Sequence, residues 1–108
     1  MKFAISKQNI LEYYNTIKNY THRTPVLTSD YFTKTVGAKG MYFKCENVQK
    51  TGSFKIRGAI NAISYNLKNE PELTKNGFIT HSSGNHAAAM ACAGKILGVN
   101  VSVGKKKI

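Results

Sequence analysis

Acidic side chains are scarce in this sequence: five aspartates and glutamates stand against sixteen lysines and arginines in 108 residues, a net charge of +11. Such a surplus is compatible with a nucleic-acid ligand, an acidic partner, or a piece of a larger architecture whose balancing acids lie elsewhere. Arginine is scarce too, with only Arg23 and Arg57. Base readout and bidentate phosphate contacts draw on arginine, so no specific nucleic-acid partner is expected, although diffuse electrostatic retention on DNA or RNA would be a third reading. The two cysteines, Cys45 and Cys92, form neither a C-x-x-C pair nor a disulfide framework, and both fall in apolar patterns, so reduced core thiols are expected. Long apolar runs are absent. The longest, Ala87 to Gly94, is too short to span a membrane, and Met1 to Ile5 gives way at once to Ser6-Lys7-Gln8-Asn9, which leaves no signal-peptide core. The expectation is a cytoplasmic chain with no membrane partner. On that reading the sequons at Asn19 and Asn100 are chance matches, and Lys105-Lys106-Lys107-Ile108 is no retrieval address. No metal-ligand cluster is present either: His81 and His86 read as hydrogen-bonded loop residues, and no metal site is expected.

What is there organises as one domain over residues 1–108. Ser6 caps a first helix to about Tyr20, with Ile10, Tyr13, Tyr14 and Ile17 on one apolar face. Thr24-Pro25-Val26-Leu27 is extended, because the residue before proline avoids the helical region. Ser29 or Thr28 caps a short helix over Tyr31, Phe32 and Thr35, stopped at Gly37. Met41, Phe43 and Cys45 alternate with polar residues, the pattern of a strand with one buried face. Ser53 caps a helix whose apolar stripe is Phe54, Ile56, Ala59, Ile60, Ala62, Ile63 and Leu67. Asn69 to Asn76, with Pro71, is a surface connection. Phe78-Ile79-Thr80 reads as a short buried strand, His86 to Leu97 as a helix ending at Gly98, and Val99 to Val103 as a third strand. Strand, helix, strand, helix, strand makes an α/β chain with a partial parallel sheet and flanking helices. Three such strands with so few covering helices leave bare edges, which points to part of a larger fold.

Two polar turns, each between a strand and a helix, are where chemistry can gather. In Gln49-Lys50-Thr51-Gly52-Ser53-Phe54-Lys55-Ile56-Arg57-Gly58-Ala59, a glycine turn and a helix start present one amine, Lys55, beside one aromatic ring, Phe54. Burial and the positive end of the helix dipole both disfavour an ammonium there, and a neutral amine attacks an aldehyde, so Lys55 fits a Schiff-base lysine. Phe54 fits a side chain that packs on a flat ring. An ordinary exposed helical lysine is the plainer alternative. In Thr80-His81-Ser82-Ser83-Gly84-Asn85-His86, hydroxyls, an amide and free N–H groups at a helix N-terminus suit a carboxylate or phosphate; simple capping by a serine is the alternative.

These two segments together resemble serine racemase and the biodegradative threonine and serine dehydratases, members of the tryptophan-synthase-like, fold type II pyridoxal-phosphate enzymes. Thr24-Pro25-Val26 and Tyr42-Phe43-Lys44-Cys45-Glu46 extend the likeness over nearly the whole chain. The resemblance implies pyridoxal 5'-phosphate held by Lys55, which would also shuttle the α-proton on one face of the substrate, with Phe54 against the pyridine ring. It implies Ser83 as acid or base on the opposite face. Ser82, Ser83, Asn85 and His86 would bind a small amino acid, serine or threonine, and Asn85 would reach the ring oxygen of the cofactor. Racemisation and elimination of water share one carbanion, so one site can serve both.

Ser29, Lys50 and Thr51 fall where racemase-like members contact a nucleotide effector, although Asp30 stands where a serine is expected. The family's glycine-rich phosphate cup, the partner of the pyridine nitrogen and the acidic metal site would all lie after Ile108, and Val101 to Ile108 departs from the family pattern. The expectation is therefore the N-terminal portion of the fold, catalytically inactive alone. A truncated, non-enzymatic paralogue docking on a full-length homologue through its sheet edge is the second reading.

Overall fold

A computed structural model describes residues 5–104; Met1 to Ala4, read above for a leader, and the basic end Lys105 to Ile108 lie outside the described residues. The first helix, α1, spans Lys7–Ile17. Ser6 Oγ accepts the Asn9 N–H at 3.1 Å and Asn9 Oδ1 accepts the Ser6 N–H at 3.0 Å, so two backbone donors that a helix start leaves free are satisfied reciprocally. Of the expected apolar face only Ile17 is buried; Ile10, Tyr13 and Tyr14 are exposed.

Strand β1, Val26–Thr28, runs antiparallel to β2, Tyr42–Lys44, with Leu27 opposite Phe43. Between them lies the one-and-a-half-turn helix α2, Asp30–Thr35, capped by Ser29 Oγ, which accepts the Phe32 N–H at 3.3 Å; Gly37, at φ +66°, ends it as expected. The β2 expectation needs two corrections. Its residues are exposed, covered only in part by the edge-on contact of Phe32 with Phe43 at 5.8 Å. It also stands apart from the later strands, pairing antiparallel with β1 in a separate two-stranded sheet.

The core lies between two helices. Helix α3, Lys55–Asn69, buries Ile56, Ala59, Ile60 and Ile63 at three- and four-residue spacing. Phe54 and Ala62, expected on the same stripe, are exposed. Pro71 opens a single helical turn, α4 (Pro71–Thr74), at the position where its missing N–H costs nothing. Strand β3, Phe78–His81, helix α5, Asn85–Leu97, and strand β4, Val101–Gly104, form one parallel unit in which Phe78 pairs with Val101 and His81 with Gly104. Helix α5 packs on α3, and Ala89, Met90 and Ala93 join Ile17 and the α3 residues in the core. Small residues make close packing possible: a Cβ on Gly94 would lie 2.5 Å from Val101 Cγ2. Gly98, at φ +69°, stops α5 in the left-handed conformation.

Along β3 and β4 half-buried and exposed residues alternate, so helices cover one sheet face only. Ile79, expected in a buried strand, is 84% exposed on the other face. Both thiols are free and half-buried, but only Cys92 packs against the core; Cys45, expected there too, follows the exposed strand β2 instead. No helix among the described residues is long and apolar enough to cross a membrane.

Candidate active site

Lys55 is the first residue of α3, and the chain reaches it through a tight turn. Residues 50–52 form a single 3-10 turn in which Thr51 and Gly52 both take left-handed backbone angles, φ 63° and 71°. Glycine adopts such angles freely and threonine rarely does, so this turn is held from outside. Gln49 supplies much of the hold. Buried to 4% exposure, its side chain accepts the His22 N–H at 2.8 Å and the Lys50 N–H at 2.9 Å and donates to the His22 carbonyl at 2.7 Å. Ser53 is buried as well, and its Oγ accepts the Lys55 N–H at 3.4 Å. The helix cap itself is Phe54, one residue later than the capping pattern suggested.

A second clamp grips the other side of Lys55. Arg57 donates from Nε to Glu46 Oε2 at 2.8 Å and from Nη2 to Glu46 Oε1 at 2.7 Å, a bidentate pair, and Thr24 Oγ1 donates to the same carboxylate at 2.6 Å. Lys44 Nζ donates to the Thr24 carbonyl at 2.7 Å. Three stretches of chain distant in sequence are thereby tied around the lysine turn. The sequence alone assigns Glu46 and Arg57 no role. Their opposite charges eleven residues apart carry no local periodicity, so only the folding of the segment after β2 against the first turn of α3 makes them partners.

The Arg57 guanidinium holds the Glu46 carboxyl at about 2, against an ordinary 4.5; burial opposes the shift and the Thr24 hydroxyl reinforces it. Arg57 is in turn held above its ordinary value, first by the Glu46 hydrogen bonds. A lowered carboxyl value means that the folded state prefers the ionised group. Its stabilisation is present above pH 4.5 and is lost as pH falls from there towards 2. Urea midpoints taken through that range should fall steeply for the wild type, and Glu46→Gln, already less stable at neutral pH, should flatten the profile.

The structure places the expected site residues in two groups. Lys55 Nζ lies 5.2 Å from the centroid of the Phe54 ring, and both side chains are exposed rather than buried. Ser82 and Ser83 lie in the loop after β3, and Asn85 and His86 open α5. Ser82 Oγ accepts the Gly84 N–H at 3.3 Å, while the Ser82 N–H donates to the Gly104 carbonyl at 3.2 Å, which fixes the loop to the end of β4. Neither serine caps α5: Gly84 occupies that position without a side-chain cap, and the first hydrogen bond back to it comes from Ala88. Among the described residues nothing takes the first-turn N–H groups of α5, which is what an anion site requires. No hydrogen bond links Lys55 to Ser82, Ser83, Asn85 or His86 among the described residues. What ties the groups together is the packing of α5 against both α3 and the 50–52 turn.

This donor set fits pyridoxal phosphate on the side it offers. An accessible amine suits an aldehyde, an exposed aromatic beside it suits a flat ring, and a free helix start with an amide and two hydroxyls suits a carboxylate. Open space around Gly52 and Gly84, where an added Cβ meets nothing within 4 Å, lets a ligand approach both loops.

The model of the family described as "Pyridoxal-phosphate dependent enzyme" matches residues 17–104. The chain belongs to this family. Serine racemase of Arabidopsis thaliana is 47% identical over 98 residues, which are 91% of this chain and 28% of that protein. The structure of maize serine racemase superposes with a TM-score of 0.84 at 42% identity, covering 98% of this chain and 32% of the other. The structure of T.th. threonine deaminase gives a TM-score of 0.72 at 42% identity, over 91% of this chain and 33% of that one. The fold is thus the N-terminal part of the fold type II pyridoxal-phosphate architecture, and the chain spans about a third or less of the relatives it matches.

Proposed function

We propose that this chain is one incomplete domain, the lysine and substrate-loop portion of a pyridoxal-phosphate-dependent amino-acid racemase or ammonia-lyase, and that it does not turn over substrate alone. One observation carries the reading. Lys55 opens α3 beside the exposed Phe54, on a clamped turn packed against the helix whose uncapped start carries Ser82 to His86. When bound, pyridoxal phosphate supplies an aldehyde for an amine and an electron sink for the substrate's α-carbon. Lys55 would hold it, Phe54 would pack on its ring and Asn85 would reach its ring oxygen. Ser82, Asn85 and His86, with the first N–H groups of α5, would hold the carboxylate of serine or threonine.

Lys55 Nζ would then take or return the α-proton on one face, and Ser83 Oγ on the other. Return from the opposite face inverts the amino acid, whereas departure of the β-hydroxyl commits it to elimination. The predicted assay result is no D-serine, pyruvate or 2-oxobutanoate from purified chain supplied with pyridoxal phosphate and L-serine or L-threonine. Sustained formation of any of them would contradict the proposed inactivity. The β3–β4 sheet, two-stranded among the described residues, leaves strand edges that favour a second role, docking on a full-length homologue through a sheet edge.

A further inference from the structure

A cavity of about 440 Å³ lies between the C-terminal end of α1, the 21–23 segment, β2 and the first turn of α3, and neither Lys55 nor the Ser82 loop lines it. Its lining is basic: Lys18, Arg23, Lys44 and Arg57 all face it, with Tyr14 and Thr21 supplying hydroxyls. Charge compensation there is lopsided. Glu46 pairs with Lys44 and Arg57, but among the described residues no carboxylate pairs with Lys18 or Arg23. Among the described residues Lys18 Nζ donates only to Asn15 Oδ1, at 2.9 Å. Arg57 spends Nε and Nη2 on Glu46 and the His22 carbonyl, which leaves Nη1 without a partner among the described residues. Thr21 Oγ1 donates to the Ile17 carbonyl at 3.1 Å, and the Tyr14 hydroxyl has no hydrogen-bond partner among the described residues. Unspent donors from two arginines, a lysine and a phenol therefore share one concave space of the size small ligands occupy.

We propose that this groove binds a small phosphate monoester, with Lys18 and Arg23 as the principal charges and Arg57 Nη1 and Tyr14 as supporting donors. Arginine's planar fork matches phosphate oxygens, lysine adds a point charge, and a dianion answers the local excess. The site is separate from the one proposed for the cofactor and does not depend on it. Its contacts with the Glu46–Arg57 clamp would make occupancy felt as added stability of the lysine turn, since a ligand that binds only the folded state stabilises it.

The test uses the full chain and glycerol phosphate at constant ionic strength, followed by amide NMR shifts and thermal unfolding. Saturable shifts centred on residues 14–23 and a rise in Tm beyond that in matched chloride are expected. Lys18→Gln with Arg23→Gln should weaken binding at least tenfold, while Lys55→Ala and the distant Lys95→Gln leave it unchanged. Equal effects of glycerol phosphate and chloride would overturn the proposal, as would wild-type affinity in the double variant. Shifts that vanish with Lys55→Ala would reassign the phosphate to the cofactor region and also overturn it. A short oligonucleotide that shifted the same amides at lower concentration would overturn the assignment to a small ligand.

Discussion

Ile60→Ala should lower the stability of the chain by about 2–5 kcal/mol, enough to leave much of it unfolded at room temperature. Ile60 is fully buried in one cluster with Ile56, Ile63, Ala89 and Ala93, where α3 meets α5, and the alanines facing it from α5 are too short to fill the space it would leave. The cavity therefore persists, and its cost adds to that of the lost apolar burial. A domain of this size buries only about two thirds of its unfolded surface and holds about 5 kcal/mol in total, so one such loss is a large share. Urea unfolding followed by far-UV circular dichroism measures it. Ile79→Ala, at a site 84% exposed, should change the stability by no more than about 0.5 kcal/mol. Equal losses at both positions would mean that the core is not where α3 and α5 meet.

Lys55→Ala should remove cofactor capture while leaving the fold intact. Free lysines form imines with any aldehyde, so the distinguishing behaviour is saturation at low cofactor concentration by one residue. The Lys55 side chain is exposed and has no hydrogen-bond partner among the described residues, and its substitution removes neither the Gln49 hold nor the Glu46–Arg57 clamp. Alanine is also a good helix former at the first turn. The variant should therefore match the wild type in circular dichroism and urea midpoint, yet show only the weak, unsaturating visible absorbance of surface lysines. Lys50→Ala, five residues earlier on the same turn, should keep the wild-type band. Loss of the band in both variants would point to a general effect of charge rather than to one reactive amine.

Much of this was legible in the residues. Three-and-four spacing found the buried side of α3, and glycines found the ends of α2 and α5, because those signals are local and the physics behind them acts over one helical turn. The two loops were legible for a similar reason: a polar cluster between a strand and a helix can hardly lie anywhere but at a sheet edge. What failed was burial. Met41 to Cys45 and Phe78 to Thr80 carry the alternation or apolarity of covered strands, yet Phe43 is half-open and Ile79 almost fully so. A strand's sequence records the environment it suits, whereas exposure depends on which other segments are there to cover it. The antiparallel pairing of β2 with β1 escaped notice because register and partner are set by non-local contacts. The Gln49 and Glu46–Arg57 networks were invisible for the same reason: they join residues 11 to 35 positions apart through hydrogen bonds that no periodicity announces.

Reductive trapping with peptide mapping tests the central claim most directly. The wild-type chain is incubated with one equivalent of pyridoxal phosphate, reduced with borohydride and digested, and the pyridoxyl label is located among its lysines. The account predicts that most of the label sits on Lys55, in the peptide that carries Ser53 and Phe54. Label spread in proportion to exposure over Lys7, Lys34, Lys39, Lys68 and the other surface lysines would contradict it, because Lys55 would then be only another lysine at the start of a helix.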